Sequence, residues 1–319
     1  MTVKNAFLFP GQGSQYVGMG KDFLQQVPGG RELFDVAEEV TGVPVASLCL
    51  EGPMSELTKT RNLQPCLTAV DILCCQAAGD AGIEAHAVAG HSLGEYPALW
   101  AAGMLDTRAV FQLVKSRGEF MDGAASLNPG AMAAVIGLER DALERLVDKV
   151  RAGHPGVLAL ANHNSREQIV VTGEKELVGK LCQAVKDAGK RAIPLKVSGA
   201  YHSPLMKPAA DRFGQVLAGV SFRDGSIPLY SNVTAEPENS GAVMRRLMAE
   251  QICSPVRWFE IINNMYRDGV RNFIELGPKK VLTNLAGKCL GPEVKDARFF
   301  NVETPGDLDG LKAEMSRSL

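Results

Sequence analysis

Short apolar runs alternate with longer stretches of helical periodicity along this chain. Ala6-Phe7-Leu8-Phe9 is continuous and apolar, the pattern of a strand buried on both faces. Pro10-Gly11-Gln12-Gly13-Ser14-Gln15 follows and is too rich in turn residues to be regular. Leu63 to Ala78 has apolar residues at helical spacing and predicts a helix capped by Gly79. A turn at Asp80-Ala81-Gly82 leads to a second strand-like run, Ala85-His86-Ala87-Val88-Ala89. A short helix is expected over 95–102, ending at Gly103. A longer one follows from Asp106 to about Ala124, with Asp106 or Thr107 as its N-cap.

From Gly130 the pattern changes. Strand-like segments at 131–136, 157–161, 168–173 and 192–195 are interleaved with helical segments at 140–150 and 175–188. That order, β-α-β-β-α-β, is a ferredoxin-like unit. It predicts a small domain, residues 128–197, inserted into a larger α/β domain formed by 1–127 and 198–319. The large domain resumes with strands at 227–231 and 272–275 and helices near 244–253, 258–268 and 280–290.

The 319 residues leave room for one large domain or two moderate ones, and 45% hydrophobic with 22% charged residues is a globular composition. A net charge of −2 gives no footprint for nucleic acid or an anionic membrane surface. The apolar stretches are too short to span a bilayer, and the N-terminus lacks the apolar core of a signal peptide, so a cytoplasmic protein is expected. Seven cysteines, an odd number without metal-ligand spacing, read as reduced thiols and imply no metal site.

Gly90-His91-Ser92-Leu93-Gly94 is a G-x-S-x-G sequence placed between a predicted strand and a predicted helix. That context is the one a nucleophile elbow requires, with the Ser92 hydroxyl raised above the sheet. The pentapeptide alone also occurs in ordinary Gly-rich turns. A serine nucleophile needs a base, and five histidines compete for the role. His91 adjoins Ser92 at a tight turn and points elsewhere. His86 lies in a strand, and His154 and His163 lie in the small domain. His202 sits in Ser198-Gly199-Ala200-Tyr201-His202-Ser203, where the chain re-enters the large domain after a strand end. A loop histidine that only caps the next helix is the plain alternative. No aspartate stands out as a third member, so a Ser92–His202 dyad oriented by a backbone carbonyl or amide is expected.

Arg117 falls on the apolar stripe formed by Val110, Leu113, Val114 and Met121. A guanidinium there must meet a carboxylate or other acceptors, either in a structural ion pair or as a clamp for a substrate carboxylate. The amides of Gln12 and Leu93 are candidates for an oxyanion hole. The Gln12 loop lacks the Lys-Ser/Thr of a P-loop and the third glycine of a dinucleotide fingerprint, so no cofactor is implied.

Phe9-Pro10-Gly11-Gln12-Gly13-Ser14-Gln15, Gly90-His91-Ser92-Leu93-Gly94-Glu95-Tyr96, Arg117-Gly118, Tyr201-His202-Ser203 and Gln251 before Pro255-Val256 together resemble one family. It is that of the malonyl-CoA:acyl carrier protein transacylases of fatty-acid synthesis and the related acyltransferase domains of polyketide synthases. The resemblance runs from Phe7 to about Leu290. It implies an α/β-hydrolase-like large domain with an inserted ferredoxin-like domain. It also implies a ping-pong transfer of malonyl from malonyl-CoA, through a Ser92 ester, to the phosphopantetheine thiol of acyl carrier protein. His202 would then be base and acid, Gln12 and Leu93 the oxyanion donors, Arg117 the carboxylate ligand, and Gln251 a support for His202. Tyr201 before the histidine resembles the aromatic of malonyl-selective members, and its hydroxyl could add a hydrogen bond. A free-standing enzyme of fatty-acid synthesis is expected from the length and the lack of fused linkers. A trans-acting polyketide acyltransferase, a thioesterase or carboxylesterase with the same Ser–His pair, and a non-catalytic docking module are the alternatives.

Overall fold

The computed structural model describes residues 3–197 and 199–316, so the expected boundary at 198 lies outside the described residues. Two sheets organise the chain. The larger contains β1 (Lys4–Phe9), β2 (Ala87–Gly90), β7 (Leu229–Tyr230), β8 (Pro237–Glu238), β9 (Val270–Leu276) and β10 (Arg298–Val302). The smaller contains β3 (Ala131–Ile136), β4 (Leu158–Ser165), β5 (Gln168–Gly173) and β6 (Arg191–Pro194).

The large sheet has the order β10-β9-β1-β2-β7-β8. Its pairings are parallel except that of β8 with β7. The continuous apolar sequence of β1 is explained by burial on both faces. Phe7 and Phe9 join one core with Leu63, Leu67 and Val70 of the helix Thr60–Asp80. Ala6 and Leu8 join the opposite core with Trp258, Ile261 and Leu285. Alternate residues of a strand point to opposite faces, so a helix layer on each side demands apolar residues at every position.

The small sheet is antiparallel, in the order β4-β5-β3-β6. Ala133 and Val135 of β3 and Ile169 and Val171 of β5 pack with Leu143 and Val147 of the helix Arg140–Gly153 and with Leu181 of the helix Lys175–Asp187. The intervening residues, Met132, Ala134 and Val170, belong to the core of the larger unit. One face of the small sheet therefore carries its own helices, and the other is laid against the rest of the molecule. Pro129 and Gly199 form a β-bridge that brings the entering and leaving chains together.

The helix 63–78 expected from the sequence runs from Thr60 to Asp80, and Gly79 lies within it. Gly79 is exposed and unconstrained, so the helix passes through it at a cost of about 1 kcal/mol. The glycine in the left-handed conformation is Gly82, φ 74°. β4 continues four residues past the expected Ala161, with register shifts between Leu160 and Asn162 and between His163 and Ser165. β10 and the helix Lys207–Ala218 were not apparent in the pattern. Among the described residues, no helix is long and apolar enough to cross a membrane.

Candidate active site

Phe9 pairs with Gly90 and Ala89 with Tyr230, so the parallel strands β1, β2 and β7 end on one rim. The loops leaving that rim carry Gln12, Ser92 and Asn232. The carboxyl end of a parallel sheet is where such folds gather reactive groups.

Ser92 begins a single 3-10 turn, Ser92–Gly94, ahead of the helix Glu95–Ala101, and has φ 53°. A non-glycine residue in that region costs of order 1–3 kcal/mol and persists only where its surroundings impose it. Here they do. The Ser92 N–H donates to Asn232 Oδ1 (2.7 Å), and Asn232 Nδ2 donates to the Gly90 carbonyl (2.6 Å). Gln251 Nε2 donates to the Ser92 carbonyl (2.8 Å). The two motif glycines are required by close approach. A Cβ on Gly90 would overlap the Gly94 carbonyl, and one on Gly94 would overlap the carbonyl of Phe9 in β1.

His202 follows the small sheet and ends its excursion over the rim. Its Nε2 lies 2.8 Å from Ser92 Oγ. Its Nδ1 faces two backbone carbonyls, Gln251 O at 3.1 Å and Ser254 O at 3.0 Å. Carbonyls only accept, so the proton sits on Nδ1 and Nε2 is left to accept from the serine hydroxyl. His202 has φ 59°, and burial, reinforced by the Arg117 cation, lowers its pKa to about 3. The imidazole is therefore neutral at pH 7, the state a base requires. Gln251 supports the histidine through its backbone and the elbow through its side chain.

Arg117 lies on the helix Thr107–Leu127, which Asp106 caps by accepting from the Ala109 N–H (2.9 Å). The guanidinium is 1% exposed, among the buried stripe residues Val110, Leu113, Val114 and Met121. Nη2 donates to Ser92 Oγ (3.2 Å) and to Gln251 Oε1 (3.0 Å), and the charge sits 5.5 Å from the centre of the Tyr96 ring. Nε is buried without a partner. Desolvation pulls the Arg117 pKa below its ordinary value.

A cavity of about 110 Å³ opens between the elbow and the small sheet. Gln12, His91, Ser92, Leu93, Arg117 and Met121 line it from one side. Met132, Asn162, Val170, Leu195 and Val197 close it from the other, and Tyr201 and His202 bound it at the junction. Most of the lining is apolar, with one cation and the Ser92–His202 pair inside. Tyr201 differs from expectation in one respect: its hydroxyl is paired with Thr60 Oγ1 (3.0 Å) inside the protein. Its ring remains on the wall.

His86, His91 and His163 have partners other than Ser92, and His154 is exposed at the end of the helix Arg140–Gly153. His91 Nε2 meets Asn164 Oδ1 (2.8 Å), His86 Nδ1 accepts the Asn5 N–H (3.1 Å), and His163 lies 3.2 Å from Glu260. The sequence reading missed Asn232 and the role of Glu95. Asn232 stands just past β7 and directly after the strand end expected at 231, where the parallel-sheet rule places functional groups, but its residue type did not single it out. Glu95 stands in the first turn of its helix, where an acidic residue is common and carries no signal of its own.

An α/β fold with a serine on an elbow, a buried histidine 2.8 Å from its hydroxyl and a cation beside them is the arrangement of enzymes that handle acyl groups. The acyl transferase domain family matches residues 6–301. The chain belongs to that family. It is 45% identical to the malonyl CoA-acyl carrier protein transacylase of Bacillus subtilis (strain 168), over 89% of this chain and 90% of that one. It superimposes with a TM-score of 0.91 on an acyl carrier protein S-malonyltransferase from Vibrio cholerae, 37% identical, covering 97% of this chain and 99% of the other. A malonyl-transacylase solved in complex with its type II polyketide-synthase acyl-carrier protein gives a TM-score of 0.92 at 36% identity, covering 98% and 99%.

Proposed function

We propose that this protein transfers the malonyl group of malonyl-CoA to the phosphopantetheine thiol of an acyl carrier protein. The observation that carries the reading is Ser92 Oγ held between His202 Nε2 and Arg117 Nη2 at the mouth of a small apolar cavity.

In the first half-reaction the malonyl carboxylate enters the cavity and accepts two hydrogen bonds from Arg117, displacing the Ser92 hydroxyl from Nη2. His202 Nε2 takes the Ser92 proton as Oγ attacks the thioester carbonyl. The oxyanion of the tetrahedral intermediate is received by the N–H groups of Gln12 and Leu93. The carbon–sulfur bond breaks, His202 returns its proton to the coenzyme A sulfur, and the malonyl-Ser92 ester remains. The second half-reaction reverses these steps. His202 takes the proton of the carrier-protein thiol, the sulfur attacks the ester, and Ser92 Oγ regains its proton. The backbone carbonyls of Gln251 and Ser254 keep Nδ1 protonated throughout, the orienting part an aspartate plays in a triad.

The architecture is read as an α/β-hydrolase-like large domain, 1–127 with 198–319, and an inserted ferredoxin-like domain, 128–197. The separate small-sheet core and the Pro129–Gly199 bridge support that division. A cytoplasmic location accords with free cysteines such as Cys75, whose thiol burial pushes up to about 12.

Intact-protein mass after mixing with malonyl-CoA tests the reading. A stable malonyl adduct that vanishes in Ser92→Ala and discharges on adding carrier protein is expected. Rapid release of free malonate without carrier protein would make the protein a hydrolase instead.

A further inference from the structure

Glu95 takes no part in the steps above, yet it lies at the centre of the polar network beneath them. Its side chain is fully buried. Oε1 accepts the backbone N–H of Asn232 (2.8 Å), and Oε2 accepts Gln251 Nε2 (2.6 Å). Gln251 Oε1 in turn accepts from Arg117 Nη2. An ionised carboxylate only accepts hydrogen bonds, so together with the Ser92 carbonyl, which also accepts from Nε2, it admits one orientation of the Gln251 amide, with nitrogen toward Glu95 and oxygen toward Arg117.

We propose that Glu95 is a positioning residue for acyl-group selection: by fixing the Gln251 amide, its carboxylate holds the Arg117 guanidinium beside Ser92. The proposal rests on the reading of Arg117 as the ligand of the malonyl carboxylate. A neutral amide at position 95 accepts and donates alike, which leaves the Ser92 carbonyl as the one pure acceptor on Nε2 and makes a half-turn of the Gln251 amide easier. That rotation aims Nε2 at Arg117, donor against donor, and the guanidinium loses the acceptor that places it. Asn232, another partner of Glu95, holds the Ser92 N–H and the Gly90 carbonyl, so an effect on the elbow has to be separated from an effect on Arg117.

Selectivity separates them. Glu95→Gln, Arg117→Ala and the double variant are compared with wild type by kcat/KM for malonyl-CoA and acetyl-CoA with carrier protein as acceptor. Glu95→Gln is expected to lower the malonyl-to-acetyl ratio at least about tenfold, and to leave the ratio unchanged when Arg117 is already alanine. Equal loss of both substrates in Glu95→Gln would confine Glu95 to the elbow and overturn the proposal. An Arg117→Ala variant with an unaltered ratio would instead overturn the reading of Arg117, and that arm shows it alone. Should Glu95→Gln fail to fold, the wild-type protein still decides the matter. Burial raises the Glu95 pKa to about 7, so the Gln251 side-chain amide and the Arg117 guanidinium resonances should move together through one transition near pH 7. His202, near 3, is not the source of a transition there. A Gln251 amide signal that stays constant between pH 5 and 9 refutes the link.

Discussion

Removing the guanidinium in Arg117→Ala separates substrate recognition from acyl transfer. A bidentate carboxylate pair comprises two charge-assisted hydrogen bonds, each worth about 1.5–3 kcal/mol. In the free protein Nη2 already donates to Gln251 Oε1 and Ser92 Oγ, so substrate binding exchanges bonds as well as adding them. A net loss of about 3 kcal/mol follows, or roughly 10²-fold in kcat/KM for malonyl-CoA. A neutral acyl group gains no ion pair from Arg117 and pays for leaving a buried cation beneath it, so acetyl transfer should stay level or rise. The same deletion acts on the base. Arg117 is the second cause, after burial, of the depressed His202 pKa. With the cation gone the imidazole becomes easier to protonate, and the acid limb of the pH–rate profile moves to higher pH. Folding should be affected modestly, because the orphaned Gln251 Oε1 costs about 1–3 kcal/mol while a desolvated charge disappears. The assay is kcat/KM for malonyl-CoA and acetyl-CoA from about pH 3 to 9, which reaches the wild-type acid limb, with a melting curve as control. Equal loss of both substrates with an unmoved acid limb would show Arg117 to be a structural cation.

His202→Ala should slow acylation by malonyl-CoA and discharge to carrier protein together, by roughly 10²–10⁴-fold, because one base serves both; normal acylation in stopped-flow would refute the pairing with Ser92. Gly94→Ala drives a methyl group into the Phe9 carbonyl of β1, so both melting temperature and activity should fall, and a fully stable variant would mean that the elbow has room to shift. Glu275, whose pKa burial raises to about 7, accepts the N–H groups of Leu282 and Thr283. The folded state therefore binds its proton more tightly than the unfolded state, and that contribution is present below the ordinary glutamate pKa and lost as pH rises through 7. The melting temperature of Glu275→Gln relative to wild type should accordingly rise between pH 5 and 8, and a constant difference would refute the shift.

Much of the architecture was legible because its causes are local or periodic. β3 and β5 fall where the alternation of the small unit placed them, and β1 and β2 announce their burial by unbroken apolar runs. Ser92 was legible because Gly90 and Gly94 answer a steric demand made within five residues, where strand, turn and helix meet. Arg117 stood out because a charge on an apolar stripe violates the cost of burying it. What the chain could not disclose depends on groups brought together from distant segments. That the backbone acceptor expected for His202 is a pair of carbonyls, of Gln251 and Ser254, that the Tyr201 hydroxyl is spent on Thr60, and that Glu95, Gln251 and Asn232 form one network beneath the elbow were decided by packing. Backbone carbonyls carry no residue identity, and a hydrogen bond spanning 156 residues leaves no periodicity to read. Sequence alone marked the candidate reactive side chains and the sheets that raise them; the tertiary structure decided which acceptor faces which donor.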